Sequence, residues 1–193
     1  MRDHPIFHDA PASSRRVVVR QHGQGHGANV RFFLFRDVLE ELVFAARYDE
    51  RPCVGLLTGS FGIEDRGPFV EVTGFEGLEF ADEEATGRRS RTIYAHLKGV
   101  LSKAFAKAPT MMTPQGLSPV GMFVHDPGGG AQLTEDMVQV HLSLFNIPFQ
   151  VLLVADAPAD LIGCYARVAR GRFFSAAFHT VSRASARGEG EEE

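Results

Sequence analysis

The chain predicts an α+β fold, on two observations. Short apolar runs rich in β-branched and aromatic residues recur at residues 30–35, 53–59, 69–73, 120–124, 149–156 and 161–168. Runs of this length, bounded by glycine, proline and polar residues, read as strands. Between them lie segments whose apolar residues instead follow helical spacing: Val38, Leu39, Leu42, Val43 and Ala46, then Ile93, Leu97, Val100, Leu101 and Phe105. Steps of three, four and one mark one apolar face of a helix.

The elements follow in order. Residues 1–29 are polar and glycine-rich and predict a mostly flexible arm, in which Val17, Val18 and Val19 are positioned to form an edge or exchanged strand. His22-Gly23-Gln24-Gly25-His26-Gly27 reads as a loose linker rather than a metal tract, because glycine makes ordering a ligand set costly. The strand at 30–35 passes into a helix near Asp37, where a carboxylate favours the helix dipole. Alternation in Phe69-Val70-Glu71-Val72-Thr73 predicts a strand, continued by residues 75–80. The run Val120 to Val124 ends at Asp126-Pro127, crosses Gly128-Gly129-Gly130 and enters a helix at Thr134, a good N-cap. Glu135 and Asp136 in its first turn are explained by the dipole alone. Residues 173–178 are strongly apolar and either complete the core or cap an interface. The tail, 181–193, is acidic and glycine-containing and predicts disorder. The boundaries are therefore 1–29 for the arm, 30–180 for one domain and 181–193 for the tail.

Composition narrows the function classes. A chain of 193 residues with 44% hydrophobic content is large enough for one real core. No apolar run approaches the roughly 20 residues that span a bilayer, and the N-terminus lacks a signal-peptide core. These features predict a cytoplasmic protein with no membrane partner. A net charge of −4 argues against nucleic acid as the partner, and Arg88-Arg89-Ser90-Arg91 reads as a solvated loop and helix start. Cys53 and Cys164 both fall in strands and read as buried free thiols. Arginine-, alanine- and glycine-rich usage suggests a bacterial, high-GC source.

The segment from Gly121 to Met137 resembles the signature of the JAMM/MPN (JAB-type) family, zinc-dependent isopeptidases and their non-catalytic relatives. In that signature a strand ends in His-x-His-Pro, and after six further residues Ser-x-x-Asp opens a helix. Aligned without gaps, the histidines fall on Val124 and Asp126, the proline on Pro127, the serine on Thr134 and the aspartate on Met137. The family's glycine-leucine strand is matched by Cys53-Val54-Gly55-Leu56-Leu57-Thr58-Gly59, and its general-base position by Pro52, with Glu50 and Glu41 out of register. The resemblance spans residues 28–170. It implies an MPN-like (cytidine-deaminase-like) mixed, curved sheet flanked by helices, in a degenerate member lacking the zinc ligands. Catalytic zinc needs three nitrogen, sulfur or carboxylate ligands and an open position for water. Valine offers no donor and a methionine thioether suits copper(I) better, so no metal and no cofactor is expected and no residue is assigned to catalysis.

Other constellations are weaker. His125, Asp126, Glu135, Asp136 and His141 are close in sequence. However, strand alternation turns His125 away from the face of Val124, and Asp136 sits about 100° around the helix from the ligand position. Cys53 has no basic partner nearby to activate it. Gly128-Gly129-Gly130 lacks the Lys-Ser/Thr that a phosphate loop needs. Members of the family without the metal set are typically scaffolds. The resemblance thus implies a non-catalytic, dimerising interaction domain whose partner is itself, another MPN-type protein, or a ubiquitin-like, cytoskeletal or complex component. The alternatives are a divergent metal-dependent isopeptidase or amidohydrolase, and a small-ligand or peptide pocket lined by Val124, Asp126, Thr134 and Met137. With 16 phenylalanines, among them Phe32, Phe33, Phe35 and Phe44, the chain has apolar surface to spare. The expected interface falls on the first helix (37–48), the second (90–107) and residues 172–178, through Leu39, Leu42, Phe173, Phe174 and Phe178.

Overall fold

The computed structural model describes residues 16–22, 30–48, 53–78, 118–125, 127, 129–145, 147, 149–156, 161–167 and 172–183, with Lys98, Gly99, Ser102 and Lys103. The strands are β1 (Arg16–His22), β2 (Arg31–Phe35), β3 (Cys53–Glu64), β4 (Gly67–Leu78), β5 (Ser118–His125), β6 (Val151–Asp156), β7 (Leu161–Arg167), β8 (Phe173–Ser175) and β9 (Phe178–Arg183). The helices described along their length are α1 (Arg36–Tyr48) and α2 (Glu135–Leu144). All nine strands form one sheet in the order β1-β9-β2-β4-β3-β5-β6-β7-β8. It is mixed: β9-β2, β2-β4 and β5-β6 run parallel, and the other pairs antiparallel. The predicted α+β class holds.

Strand alternation separates two cores. On β6, Val151, Leu153 and Ala155 join the cluster that holds Val38, Leu42 and Ala46 of α1. Leu152 and Val154 join the cluster that holds Met137 and Val140 of α2. Successive side chains of a strand point to opposite faces, so the two helices cover opposite faces. On α1 the buried residues Val38, Leu42 and Ala46 are each four apart, as one helix stripe requires. The Arg36–Glu40 ion pair at 2.9 Å is exposed at both ends and adds little.

Irregularities in the ladder re-aim side chains. β3 pairs with β5 as Leu57↔Gly121 and then Thr58↔Pro119, so Val120 is an extra residue on β5. The bulge breaks the alternation and lets Val120 join the core under α1 while Met122 faces α2. β3 and β4 form a long hairpin closed at Glu64↔Gly67, where Gly67 supplies a φ of 98°.

Several expectations are corrected. The arm is not wholly outside the fold: Arg16–His22 is an edge strand of its own chain's sheet, antiparallel to β9. The domain also runs past residue 180, because β9 continues to Arg183. As expected, residues 69–73 and 75–78 form one continuous strand; 79–80 lie outside the described residues. The second predicted helix lies mostly outside them too; Lys98, Gly99, Ser102 and Lys103 are helical and exposed. The segment 149–156 is a strand only from Val151, because Phe149 has a φ of 74°.

Phe149 therefore carries backbone strain. It sits in a turn where the Gln150 amide N–H donates to the Ile147 carbonyl at 3.5 Å. The Gln150 side chain locks this turn: its Oε1 accepts from the Ile147 N–H at 2.9 Å and its Nε2 donates to the Pro119 carbonyl at 3.0 Å. Phe149 remains there because its ring packs against the α1-side core. Replacement by glycine and by alanine removes the same ring, but only glycine is at ease at positive φ, where other residues lose roughly 1–2 kcal/mol. Phe149→Gly is expected to be more stable than Phe149→Ala by about 1 kcal/mol in urea denaturation, reversing the order usual in ordered segments.

Candidate functional site

The candidate site is built where β5 and β6 end beside the start of α2. β5 and β6 are parallel neighbours, paired from Gly121↔Val151 to His125↔Ala155, and α2 lies between them in sequence. In sheets of this kind ligand sites form outside the carboxyl ends of parallel strands. β3 begins beside this point, with Cys53 paired to His125. The strand ends implied by the resemblance are thus brought together.

The side chains there are apolar. Val124, 2% exposed, and Met137, 1% exposed, lie in one cluster with Val54, Leu56, Met122, Val140, Phe145, Leu152 and Val154. The two sequence-assigned ligand positions therefore share a dry core, with no donor between them for zinc. Thr134 is the N-cap of α2, and its Oγ1 accepts from the Met137 N–H at 3.3 Å. Its hydroxyl serves the helix end. Glu135 is exposed and Asp136 half-buried in the first turn. Pro52, Glu50 and Asp126 lie outside the described residues. Among the described residues no three His, Cys, Asp or Glu side chains come together to hold a metal. The family's zinc does not fit the residues that are described.

The two histidines near the site have structural surroundings. His125 is buried, and its Nδ1 lies 3.2 Å from the Ala155 carbonyl. A carbonyl only accepts, so Nδ1 carries the proton and ties the ends of β5 and β6 together. His141, on α2, is completely buried; neither ring nitrogen has a partner at hydrogen-bond geometry, and the Val151 backbone is a polar neighbour that only weakly favours its charged form. It stacks on Phe145 with centroids 4.6 Å apart and meets Phe173 edge-on at 5.0 Å. Arg167 stands close by, its Nη1 donating to the Phe145 carbonyl at 2.8 Å. Burial first, then the Arg167 charge, push the His141 pKa down to about 3, against the opposing effect of the Val151 backbone. Neither Cys164, buried, nor Cys53, half-buried, forms a disulfide; burial pushes the Cys164 thiol far above its ordinary range, so it is inert.

Of the residues expected at an interface, two belong to the core. Leu42 is fully buried and Phe178 is 3% exposed, because the α1 stripe faces the sheet and Phe178 pairs with Phe32 in its interior. Phe32, Phe33 and Phe35 are likewise consumed by the core. Leu39, Phe173 and Phe174 are half-buried, with Leu39 and Phe174 packing at the α1-side core and Phe173 at the α2-side core. The exposed large apolar side chains among the described residues are Phe44 on α1 and Ile63 on β3.

The glycine loop expected over this end of the sheet is there, but sequence reasoning missed how it is fastened. Tyr165 Oη donates to the Ala131 carbonyl at 2.8 Å, and a Cβ at Gly163 would crowd that same carbonyl. The loop is thus pinned to β7 at a place where only glycine lets it approach. Asp156 ends β6 beneath it, with its Oδ2 3.9 Å from where a Cβ on Gly130 would stand. The available signal was alternation: 152, 154 and 156 share the α2 face.

With this geometry in place, the chain can be set beside known proteins. It shares its fold with protein DSY2949 from Desulfitobacterium hafniense, known from a solution structure, at 15% identity over 75% of this chain and 88% of that one, with a TM-score of 0.51. It is also similar to AF2198, a JAB1/MPN domain protein from Archaeoglobus fulgidus, at 15% identity over 73% of this chain and 93% of that one, with a TM-score of 0.41. No family model and no curated protein matches the chain. At such identities the likeness concerns the fold alone. No described helix is long and apolar enough to cross a membrane.

Proposed function

We propose that this chain is a non-catalytic, MPN-like interaction domain that pairs with itself or with another MPN-type protein. One observation carries the reading. Val124 and Met137, at two positions where the resemblance puts zinc ligands, are buried against each other's neighbours in a shared apolar cluster. A metal-activated water needs donors and an open coordination position; this arrangement supplies neither, and the same packing fills the space a ligand pocket there would need. What remains is a rigid sheet that presents surfaces. Phe44, 60% exposed on α1, would sit at the centre of such a surface. A stable interface buries roughly 800 Å² per partner, and a two-fold pair is the commonest closed assembly.

Two measurements test this. Elemental analysis of protein purified without chelator is expected to show well under one zinc per chain. Sedimentation at micromolar concentration is expected to show a dimer that Phe44→Glu weakens. A tightly bound, stoichiometric zinc would restore the hydrolase alternative. A clean monomer unchanged by dilution, with no partner recovered from the native cell, would remove the scaffold reading.

A further inference from the structure

The outer face of α1 carries a charge pattern that is complementary to its own reverse. Val38, Leu42 and Ala46 face the sheet. Phe44 lies two residues from both Leu42 and Ala46, so at about 100° per residue it stands almost diametrically away from that stripe. It is 60% exposed. A single exposed ring is common on protein surfaces and decides nothing by itself; its neighbours do. Arg36, Asp37, Glu40, Glu41 and Arg47 are also exposed on α1. Glu40 comes one turn before Phe44 and Arg47 one turn after it. Both lie on the same flank, about 40° and 60° around the helix from Phe44. Along the axis they stand about 6 Å before the ring and about 4.5 Å after it. An acid and a base thus bracket the ring at nearly equal distances.

We infer that the outer face of α1 is a docking surface for α1 of a second copy of this chain, packed antiparallel across a two-fold axis at Phe44 with reciprocal Glu40–Arg47 pairs. Such an axis lays each flank against the same flank of the other copy, running in the opposite direction. Phe44 meets Phe44 of the second copy, and Glu40 of each copy comes level, within about 2 Å, with Arg47 of the other. A parallel pair would instead bring Glu40 and Glu41 beside the acids of the second copy. The ion pair of Glu40 with Arg36, 2.9 Å along the helix, does not exclude the contact. A carboxylate presents roughly four lone-pair sites and can accept a second guanidinium. Exposed ion pairs add little affinity each; their part here is to fix direction, since alignments that join like charges are suppressed. This pairing rests on the interaction-domain reading and deepens it, by naming the second copy as partner and α1 as the face.

Charge exchange between two variants tests it. Full-length chains carrying Glu40→Arg or Arg47→Glu are sedimented alone and as a mixture, with a fluorescent label on one of the two. Alone, each variant meets itself through two like-charge contacts and is expected to associate at least about tenfold more weakly than the unaltered chain. Mixed, one variant offers a basic flank and the other an acidic one, and affinity is expected to return to within about threefold of the unaltered chain. Salt at about 0.5 M is expected to relieve the defect of each variant alone, which misfolding would not allow. Unweakened association of either variant, or a mixture as weak as its components, would overturn the inference; with the unaltered chain still dimeric, the interaction-domain reading would stand. An unaltered chain that stays monomeric but binds another MPN-type protein would have the same meaning. A monomer with no such partner would overturn both.

Discussion

Acidification from pH 7 to pH 4 is expected to weaken this fold by several kcal/mol through His141 alone. In the unfolded chain the imidazole titrates near 6.5; in the folded chain it is held down to about 3. Between those values the unfolded state binds a proton that the folded state refuses. Stability is therefore intact above about pH 6.5 and falls by about 1.4 kcal/mol per unit below it, by about 4–5 kcal/mol in all once pH reaches the folded value. The cause is local: an imidazole with no partner for either nitrogen, between two phenyl rings and near a guanidinium. His141→Phe is expected to remove this part of the acid sensitivity. At pH 7.5 it is also expected to raise stability by about 1–2 kcal/mol, because two desolvated nitrogens are replaced by carbon. Urea midpoints at several values between pH 7.5 and 4.5 check both. Carboxylates contribute equally to the two proteins, so the difference between their slopes isolates His141; parallel slopes would show that the ring is not buried uncharged.

Gly121→Ala is expected to be among the most damaging methyl groups that can be added to the sheet centre. Gly121 pairs with Leu57 on one side and Val151 on the other, immediately after the bulge at Val120. A Cβ there would overlap the Val151 carbonyl oxygen and lie 2.8 Å from its carbonyl carbon and from Val151 Cγ1. Backbone cannot rotate away as a side chain does, so β5 and β6 must separate and their hydrogen bonds lengthen. Both neighbouring cores would feel this, because Phe123 and Leu153 lie in one and Met122 and Leu152 in the other. The expected loss is on the order of 3 kcal/mol or more. Gly77→Ala is the matched control: its Cβ would meet the Phe75 ring at an ordinary 3.5 Å, and the stiffer unfolded chain should leave stability unchanged or raised by up to about 1 kcal/mol. Equal midpoints for the two variants would show that the β5–β6 approach is looser than described.

Much of the fold was legible because it is written in local period. The stripe Val38, Leu42, Ala46 identified α1, and Thr134 with its two following acids identified the start of α2. The order of strands was not legible, since pairing depends on contacts far apart in sequence. Nothing in Val17-Val18-Val19 says that its neighbour is Ser182-Val181 rather than β2. The interface expectation failed at Leu42 and Phe178 for a related reason: counting phenylalanines measures apolar supply but not which face of a strand consumes it. At the site, Val124 and Met137 fall in one buried cluster, because a fixed spacing links a strand end to a helix start. Asp156 and the pinned loop were obscure, because their meaning depends on Gly163 and Tyr165 from another strand.

The insertion of β9 between β1 and β2 has a consequence for synthesis. β2 meets Phe178–Val181 along one edge, so that edge stays unpaired on the ribosome until β9 emerges. About 140 residues separate the two partners, and at roughly 5–20 residues per second their translation takes on the order of 10 s. Throughout that interval Arg31-Phe32-Phe33-Leu34-Phe35 presents a bare, strongly apolar strand edge, the kind of segment that pairs with the wrong neighbour. β1 is made even earlier and also waits for β9, its partner in the sheet. The nascent chain thus has a long window in which that edge can mispair, and removal of β9 would leave β1 with no partner and β2 with an open edge.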